Sequence, residues 1–271
     1  MTSEKTDRFR ALHKKGAAFL IPNPWDAGSA RILQKLGFVA LATTSSGFAL
    51  TQGRRDYAVT REDAIAHCRA VAGAVDIPVT ADLENGFGDT PEDVSETIRQ
   101  ASETGLCGGS IEDFSGDEAN PIYDQAHAVE RIAAAVEAAR AAPAGFVLTA
   151  RAEAFLHGQG DLDAVIARLN AFAAAGAEVL YAPGLPDMDA VRAVCAGVEK
   201  PVNVLITGKL RRHSVADFAE TGAARLSIGG TLAYAAYASL ADAAGMLSDG
   251  AFDALSIDRE RAALVSEALK D

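Results

Sequence analysis

Eight short apolar segments alternate with amphipathic helical segments along the 271 residues of the chain. The predicted strands cover 18–22, 38–43, 77–82, 108–112, 146–151, 178–182, 201–206 and 225–229. The predicted helices between them cover 26–36, 61–75, 91–103, 125–141, 161–175, 187–197 and 214–220. Because parallel strands need a crossover connection, usually a helix, this alternation predicts a parallel sheet. About eight such units at this length are typical of a (β/α)8 TIM barrel.

A doubly wound open sheet is the alternative arrangement. Its dinucleotide-binding form carries a Gly-x-Gly-x-x-Gly turn after the first strand. Here the first predicted strand is followed by Asn23-Pro24-Trp25-Asp26, which contains no glycine. The barrel is therefore the favoured prediction.

Residues suited to helix caps mark several of the predicted boundaries. Thr60 and Thr90 each precede a first turn that contains acids, and Pro91 follows Thr90 at a position where proline is favoured. Four glycines follow helical patterns, where a left-handed residue is wanted. They are Gly37, Gly105, Gly176 and Gly222.

No linker or low-complexity tract divides the chain, so we predict one barrel domain over 1–271. Residues 231–271 form a helical extension of it, with predicted helices at 231–247 and 257–269. This tail is longer than a barrel needs for closure. We expect it to pack on another subunit of a homo-oligomer, either a dimer or a tetramer.

Charge and composition restrict the classes of partner. The net charge of −12 argues against nucleic acid or an anionic membrane surface as the main partner. No apolar run is long enough to span a bilayer, and residues 1–10 lack the apolar core of a signal peptide. The three cysteines Cys68, Cys107 and Cys195 show neither zinc spacing nor a disulfide framework. A cytoplasmic location is therefore expected.

Asp82 ends the third predicted strand, and Glu84 follows two residues later. On an extended backbone, side chains two positions apart point to the same side. Two carboxylates held together repel each other and are costly to bury. A hard cation solves both problems, because magnesium prefers oxygen ligands. The pair therefore predicts a metal site at the mouth of the sheet.

Other predicted strands also end in polar residues, and in a barrel these ends meet at one face. They are Thr43-Thr44-Ser45-Ser46-Gly47, a turn able to bind a carboxylate, Ser110-Ile111-Glu112-Asp113, Thr149-Ala150-Arg151-Ala152-Glu153, Asn203, and Ser227-Ile228-Gly229-Gly230. Each acid taken alone is equally well explained as a helix cap or a surface ion-pair partner. Inward charge at several strand ends is costly unless a metal and a charged substrate offset it.

A 2-oxo carboxylate bound to Mg²⁺, with Mn²⁺ as an alternative ion, suits this composition. The ion stabilises the enolate that forms when a bond at the adjacent carbon breaks, and Arg151 holds the substrate's negative charge. A Schiff-base aldolase is the competing barrel chemistry, and it needs a buried lysine. Only Lys209 lies near a predicted strand end. A magnesium-dependent reaction of a small carboxylate is therefore favoured.

At these residues the chain resembles the isocitrate lyase/phosphoenolpyruvate mutase superfamily, over nearly its whole length. The matching segments are Asn23-Pro24-Trp25-Asp26, Thr44-Ser45-Ser46-Gly47, Ala81-Asp82-Leu83-Glu84-Asn85-Gly86-Phe87-Gly88, Ser110-Ile111-Glu112-Asp113 and Arg151. The resemblance implies a (β/α)8 barrel whose last helix is swapped between subunits, with Mg²⁺ and an enolpyruvate-like intermediate. The residues it implies as metal-associated are Asp82, Glu84, Glu112 and Asp56. Those it implies for substrate binding, together with Ser45 of the hydroxyl-rich turn, are Ser46, Gly47, Phe48, Arg151 and Asn203.

The sequence departs from that superfamily after the fourth predicted strand. The isocitrate and methylisocitrate lyases carry a Lys-Lys-Cys-Gly loop there, and residues 114–123 contain neither lysine nor cysteine. The expected activity is therefore the shared half-reaction, carbon–carbon cleavage or decarboxylation of a small 2-oxo or 2-hydroxy carboxylate. Phosphonopyruvate-type phosphorus–carbon chemistry and a catalytically idle barrel that binds an oxo acid remain alternatives.

The proton donor stays open at this point. The candidates are Tyr123, His157, Glu153 and Tyr181. His157 lies a few residues beyond Arg151, and we predict a catalytic role for it beside Arg151 and Glu112. Whether the loop at 114–124 closes over the site is likewise open.

Overall fold

Eight parallel strands form a nearly closed barrel in the computed structural model, which describes residues 2–252 and 258–270. The strands are β1 (Phe19–Ile21), β2 (Leu41–Ala42), β3 (Val79–Asp82), β4 (Gly108–Glu112), β5 (Val147–Arg151), β6 (Val179–Tyr181), β7 (Val202–Leu205) and β8 (Arg225–Ser227). Each strand pairs with its neighbour in sequence from β2 to β8, and β8 pairs with β1. The Ala42 N–H donates to the Pro22 carbonyl at 3.1 Å and joins β1 to β2. The barrel prediction is confirmed, and the open-sheet alternative is wrong.

Helices surround the barrel and follow the strands in sequence. They are α1 (Thr2–Leu12), α2 (Ala27–Lys35), α3 (Ser45–Thr51), α4 (Arg61–Gly73), α5 (Pro91–Ser102), α6 (Gln125–Ala141), α7 (Leu162–Ala175), α8 (Met188–Gly197), α9 (Val215–Glu220), α10 (Thr231–Ser248) and α11 (Arg259–Ala268). A 3₁₀ turn, Gly208–Arg212, follows β7.

The local signals in the sequence locate most boundaries correctly. Thr60 and Thr90 both cap their helices through reciprocal side-chain and backbone hydrogen bonds. Gly176 and Gly222, which follow α7 and α9, adopt φ values of 110° and 92°, a region that favours glycine. The predicted helix at 257–269 begins at Arg259, while residue 257 lies outside the described residues.

Two helices are absent from the prediction. α1 is polar and charged along most of its length, and α3 is a run of small and hydroxyl residues that reads as a turn. α3 forms because the Thr44 side chain accepts a hydrogen bond from the Gly47 N–H and caps the helix. Both helices thus depend on capping or tertiary contacts more than on hydrophobic periodicity.

α1 packs against the N-terminal end of the barrel. Its Phe9 is fully buried in a cluster with Ile21, Cys107, Val147 and Val179, all on or beside the strands. Arg10 pairs with Glu178 at 2.6 Å and ties the same helix to the start of β6. The helix closes the floor of the barrel, so Cys107 lies at the end opposite the strand mouths.

No helix among residues 2–252 and 258–270 is long and apolar enough to cross a membrane.

Removing the Phe9 ring should weaken the barrel floor. Phe9→Ala leaves a cavity under the strands, and we expect the free energy of unfolding to fall by about 3–5 kcal/mol. Phe252→Ala is the matched control, because the Phe252 ring is 74% exposed and its loss should change stability by less than about 0.5 kcal/mol. Urea unfolding followed by circular dichroism measures both. Equal effects of the two substitutions would show that α1 does not stabilise the floor.

Candidate functional site

A cavity of about 200 Å³ opens at the carboxyl ends of the strands. Side chains from different strand ends line it together. Those that bear on its chemistry are Ser45, Ser46, Asp56, Asp82, Arg151 and Asn203. Parallel strands bring these ends to one face of the barrel, which is where barrel enzymes place their active sites.

Arg151, the last residue of β5, lies at the centre of the polar groups. Its Nη1 donates to Asp82 Oδ1 at 2.7 Å, and its Nε donates to Glu153 Oε1 at 2.8 Å. Glu112 Oε2 lies 3.0 Å from its Nη2 in an ion pair. Burial by itself would lower the pKa of Arg151, but the carboxylates of Glu112, Glu153 and Asp82 outweigh that effect and raise it. The guanidinium therefore stays charged in a buried position.

The strand register accounts for this meeting. Glu112 on β4 pairs directly with Arg151 on β5, and Asp82 on β3 pairs with Ser110 on β4. Neighbouring parallel strands thus place carboxylates, the Ser110 hydroxyl and the Arg151 guanidinium at adjacent positions of one sheet edge. The side chains that the sequence assigned to separate strand ends lie within ion-pair distance of one another.

Glu84 lies beside Asp82 but is not among the residues that line the cavity. β3 ends at Asp82, and Glu84 adopts the left-handed φ of 48° in the turn that follows. The predicted end of the strand at Asp82 is confirmed, and the expectation of an extended backbone from Asp82 to Glu84 is wrong. The turn brings the Glu84 N–H within 3.3 Å of Asp82 Oδ1, and the Glu84 side chain is buried. Such strain in a non-glycine residue is a feature of functional sites.

Burial shifts the acids of the site strongly. It raises the pKa of Glu84 to about 8, helped by repulsion from Asp82 and Asp56. It also raises the pKa of Glu112 and of Asp56, the latter helped by Asp82. Burial is the main cause of each shift, and repulsion from neighbouring carboxylates adds to it.

The acids suit a divalent cation because they are negatively charged when ionised and because a buried carboxylate oxygen lacks a hydrogen-bond partner. Among the described residues, Glu84 Oε1 is buried without a hydrogen-bond partner, whereas Glu112 Oε2 is ion-paired with Arg151. Buried carboxylate oxygens without donors are costly, and an oxygen-binding cation satisfies them. Within the described residues, no three Asp, Glu, His or Cys side chains are grouped closely enough to hold an ion as they stand. Arg151 occupies the oxygens of Asp82 and Glu112 in this arrangement.

A second set of contacts supports Arg151 from behind. The Glu153 N–H donates to Asp113 Oδ1 at 2.8 Å, and Arg168 Nη1 donates to Asp113 Oδ2 at 3.1 Å. Asp113 thus faces α7 and not the mouth. Glu153, which the sequence suggested as a proton donor, is the fixed partner of Arg151. This pairing depends on a buried contact that strand spacing does not reveal.

Of the substrate-binding residues predicted in the hydroxyl-rich turn after β2, only some line the cavity. Ser45 and Ser46 line it, and the Ser45 hydroxyl donates to Asp82 Oδ2 at 3.0 Å. Gly47 is packed inside α3, where an added Cβ would lie 2.6 Å from the Thr44 side chain. The Phe48 ring stacks on His67 at 4.0 Å, and neither Gly47 nor Phe48 lines the cavity.

Asn203 and Arg225 form a polar layer inside the barrel beneath the acids. Asn203 Oδ1 accepts from Arg225 Nε at 2.9 Å, and Asn203 Nδ2 donates to Ser227 Oγ at 2.9 Å. Arg225 Nη2 also donates to Thr149 Oγ1 at 3.2 Å. Burial lowers the pKa of Arg225 to about 10. Asn203 therefore lines the cavity with its amide already bonded within the protein.

The candidate proton donors lie in different places. The His157 ring stacks on Phe114 with centroids 4.1 Å apart and does not line the cavity. The Tyr123 hydroxyl donates to Asp89 Oδ1 at 2.5 Å, outside the cavity lining. Tyr181 lines the cavity, and burial raises the pKa of its hydroxyl. The catalytic role of His157 stays a prediction.

Tyr57 and Leu156 are cavity residues that the sequence analysis did not single out. Tyr57 has a left-handed φ of 60°, and burial and Glu112 raise the pKa of its hydroxyl. The only sequence signal for Tyr57 is its position next to Asp56. No sequence signal marks Leu156, because the sequence does not show which way an apolar side chain in a loop points.

Comparisons with known proteins identify related chains. The model of a family described as phosphoenolpyruvate phosphomutase matches residues 9–248. The 2-methylisocitrate lyase of Escherichia coli (strain K12) is 30% identical over 207 residues, which cover 73% of this chain and 69% of the relative.

Solved structures share the fold. A Burkholderia cenocepacia J2315 protein, provisionally assigned as a lyase/mutase, is 47% identical with a TM-score of 0.92, covering 100% of this chain and 97% of its own. Phosphonopyruvate hydrolase in complex with oxalate and Mg²⁺ is 21% identical with a TM-score of 0.84, covering 97% of this chain and 95% of its own. At that identity the second likeness shows the fold alone.

The raised pKa of Glu84 predicts a dependence of stability on pH. Its pKa is about 8 in the folded protein against an ordinary value of 4.5, so the folded state binds the proton more tightly than the unfolded chain does. Without added metal, the free energy of unfolding should therefore fall as pH rises from about 4.5 to about 8. Glu84→Gln should flatten this slope, and Mg²⁺ should flatten it in the unmodified protein. Urea unfolding in EDTA at several pH values measures it.

Glu118→Gln is the control, because Glu118 is an exposed acid of the loop after β4. It should leave the slope unchanged. A slope that Glu84→Gln does not alter would mean that Glu84 is ionised in the folded protein throughout this range.

Proposed function

The chain belongs to the phosphoenolpyruvate phosphomutase family, and we propose that it is an Mg²⁺-dependent carbon–carbon lyase of the isocitrate lyase/phosphoenolpyruvate mutase superfamily. Its substrate is a small 2-oxo or 2-hydroxy carboxylate, cleaved through an enolpyruvate-like intermediate. The observation that carries this proposal is the group of buried acids around Arg151 at the cavity mouth.

The proposed metal-associated residues are Asp82, Glu84, Glu112 and Asp56. Their carboxylates and the buried Glu84 Oε1 fit Mg²⁺ or Mn²⁺. When bound, the ion supplies Lewis-acid stabilisation of negative charge on the oxygens of the oxo acid. Phosphonopyruvate hydrolase, which has this fold, binds Mg²⁺ together with oxalate. That likeness supports a metal here without identifying the ligands.

The chain's own residues have defined tasks in this proposal. Ser45 and Ser46 donate hydrogen bonds to the substrate carboxylate, because their hydroxyls line the cavity next to Asp82. Arg151 stabilises the negative charge that develops on the 2-oxygen when the neighbouring bond breaks. Glu153 and Asp113 keep the guanidinium in place. Gly47, Phe48 and Asn203, which the resemblance implied as substrate contacts, act through packing and through the hydrogen-bonded layer below the cavity.

A hydroxyl is the better-placed group for moving a proton. Tyr57 and Tyr181 line the cavity, whereas the His157 ring stacks against Phe114 outside it. The raised pKa of each tyrosine keeps its proton in place until substrate binds. We assign proton transfer to Tyr181 and leave Tyr57 and His157 as parts of the surrounding wall.

The loop after β4 separates this enzyme from the thiol-dependent lyases. Phe114 and Ile122 form an antiparallel bridge that closes the loop on itself. The Ser115 N–H donates to the Pro121 carbonyl at 2.8 Å, and the Ser115 hydroxyl donates to the Asn120 carbonyl at 2.6 Å. These hydrogen bonds support a proposal in which the loop keeps this conformation when substrate binds. The loop contains neither lysine nor cysteine, so it supplies neither side chain as an acid or a base.

Turnover of a panel of 2-oxo and 2-hydroxy acids, oxaloacetate among them, tests the proposal. We expect at least one acid to be cleaved and the reaction to stop with EDTA. Asp82→Ala should lower kcat/KM by at least about a hundredfold, because Lewis-acid stabilisation is worth several kcal/mol. Asp76→Ala removes an exposed acid outside the cavity and should leave kcat/KM unchanged. Full activity of Asp82→Ala would refute the metal site.

The alternatives give different results in the same assay. Phosphate release from phosphonopyruvate would assign phosphorus–carbon chemistry instead. Magnesium-dependent oxalate binding without turnover of any panel member would identify a catalytically idle binding protein.

We also propose that the enzyme is a homo-oligomer in the cytoplasm. The three cysteines are free and buried, which suits a reducing compartment. α10 exposes Tyr237, Leu240 and Leu247 by 36%, 63% and 39%, and these three positions lie on one face of the helix. An apolar helix face of this kind is stabilised when another subunit covers it. A swap of this helix between subunits is the form that the resemblance implies.

Light scattering during size-exclusion chromatography tests the oligomer. We expect a mass that is a multiple of the 28.1 kDa of one chain, and Leu240→Glu should reduce it by placing a charge in the interface. Val215→Glu is the control on α9, where Val215 is 44% exposed. A monomeric unmodified protein would refute the proposal.

A further inference from the structure

We infer that the substrate carries an uncharged, apolar second arm, and that Tyr57 and Leu156 form the surface that binds it. The second arm is the part of the substrate beyond the oxo-acid group. This inference rests on the proposed function, which places the oxo acid against Arg151 and the acids. It favours cleavage to an uncharged fragment over decarboxylation of an oxo-diacid.

Tyr57 and Leu156 line the cavity from two different loops. Tyr57 follows α3, and Leu156 lies in the turn after β5. Tyr57 and Leu156 are 42% and 50% exposed, so part of each large side chain is open to a ligand. Large apolar side chains beside a polar site form a surface suited to the apolar part of a ligand.

Phe114 and His157 support this surface from behind. The Phe114 ring contacts Tyr57 with centroids 4.9 Å apart and stacks on His157 at 4.1 Å. Phe114 is only 7% exposed, so it is wedged between the two loops. Three rings from the loops after α3, β4 and β5 therefore form one packed aromatic wall.

The wall is already in place without a ligand. The bridge between Phe114 and Ile122 holds the loop after β4. Leu156 packs over Gly184, where an added Cβ would lie 2.9 Å from the Leu156 Cδ2 atom. A preformed apolar surface binds an apolar group without a further ordering cost.

The charges of the cavity disfavour a second carboxylate. Among the described residues that line it, the cations are Arg151 and Arg225. Arg151 is engaged by Asp82, Glu112 and Glu153, and Arg225 by Asn203 and Thr149. A second carboxylate would have no free cation there, and it would be repelled by the acids of the site.

Lysine and arginine side chains near the mouth do not change this conclusion. Lys209, Arg211 and Arg212 lie on the 3₁₀ turn after β7 and do not line the cavity. Arg211 is also hydrogen-bonded to Thr231 at 3.4 Å. The cavity lining itself therefore selects against a dianionic substrate.

Calorimetric titration of the full-length protein with Mg²⁺ tests the inference. Oxalate is titrated first and should bind only with Mg²⁺. Pyruvate, 2-oxopentanoate and 2-oxoglutarate follow, and the last two differ by a terminal methyl group against a carboxylate on the same five-carbon chain. Each buried methylene should tighten binding about threefold, so 2-oxopentanoate should bind about tenfold more tightly than pyruvate. It should also bind more tightly than 2-oxoglutarate.

A charge placed on the wall should reverse this preference in part. Leu156→Lys should shift the ratio of the two dissociation constants toward 2-oxoglutarate by about two- to fivefold, the strength of a half-exposed ion pair. Leu36→Lys introduces the same charge at the C-terminal end of α2, where Leu36 is 54% exposed, and should not shift the ratio.

The outcomes separate the inference from the proposed function. Magnesium-dependent oxalate binding with a preference for 2-oxoglutarate over 2-oxopentanoate would overturn the apolar arm and leave the oxo-acid site standing. An unchanged ratio in Leu156→Lys would show that Leu156 does not contact the arm. Failure of oxalate to bind with Mg²⁺ would overturn the proposed function, and the inference would fall with it.

Discussion

The repulsion among buried carboxyl groups at the strand mouth is the constraint on which the rest of this structure depends. Arg151 pairs with Asp82, Glu112 and Glu153, yet Glu84 and Asp56 remain unmatched by a cation. A folded protein tolerates such an excess only where binding later offsets it. The site is therefore built at a cost in stability, and the proposed cation and anionic oxo acid would offset that cost.

The barrel makes this arrangement rigid. The register of β4 on β5 sets Glu112 against Arg151, and α1 closes the opposite end with Phe9 buried among the strand residues. The contacts of Arg168 with Asp113, and of Asp113 with Glu153, extend the support outward to α7. Arg151 is held from the sheet and from the helix layer at once, so its donors are oriented before substrate arrives.

The two halves of the cavity then have different tasks. The polar half, at the ends of β2 to β5, is shared in character with the superfamily and suits the oxo-acid group. The other half, with Leu156 and with Tyr57 in contact with Phe114, combines residues from the loops after α3, β4 and β5. We infer that this half binds the second arm of the substrate.

The sequence by itself determined the (β/α)8 barrel, most helix boundaries, and the meeting of Asp82, Glu112 and Arg151 at one mouth. Hydrophobic periodicity and caps are local signals, and the topology of a parallel barrel carries strand-end residues to one face. Only the tertiary structure decided that Glu84 turns back beside Asp82 after the strand and that Glu153 binds Arg151. It also decided that the Phe48 and His157 rings stack on neighbouring rings. Tyr57 and Leu156 come together at the cavity for the same reason. These features depend on distances between loops far apart in sequence, and loop conformation leaves no periodic pattern in the chain.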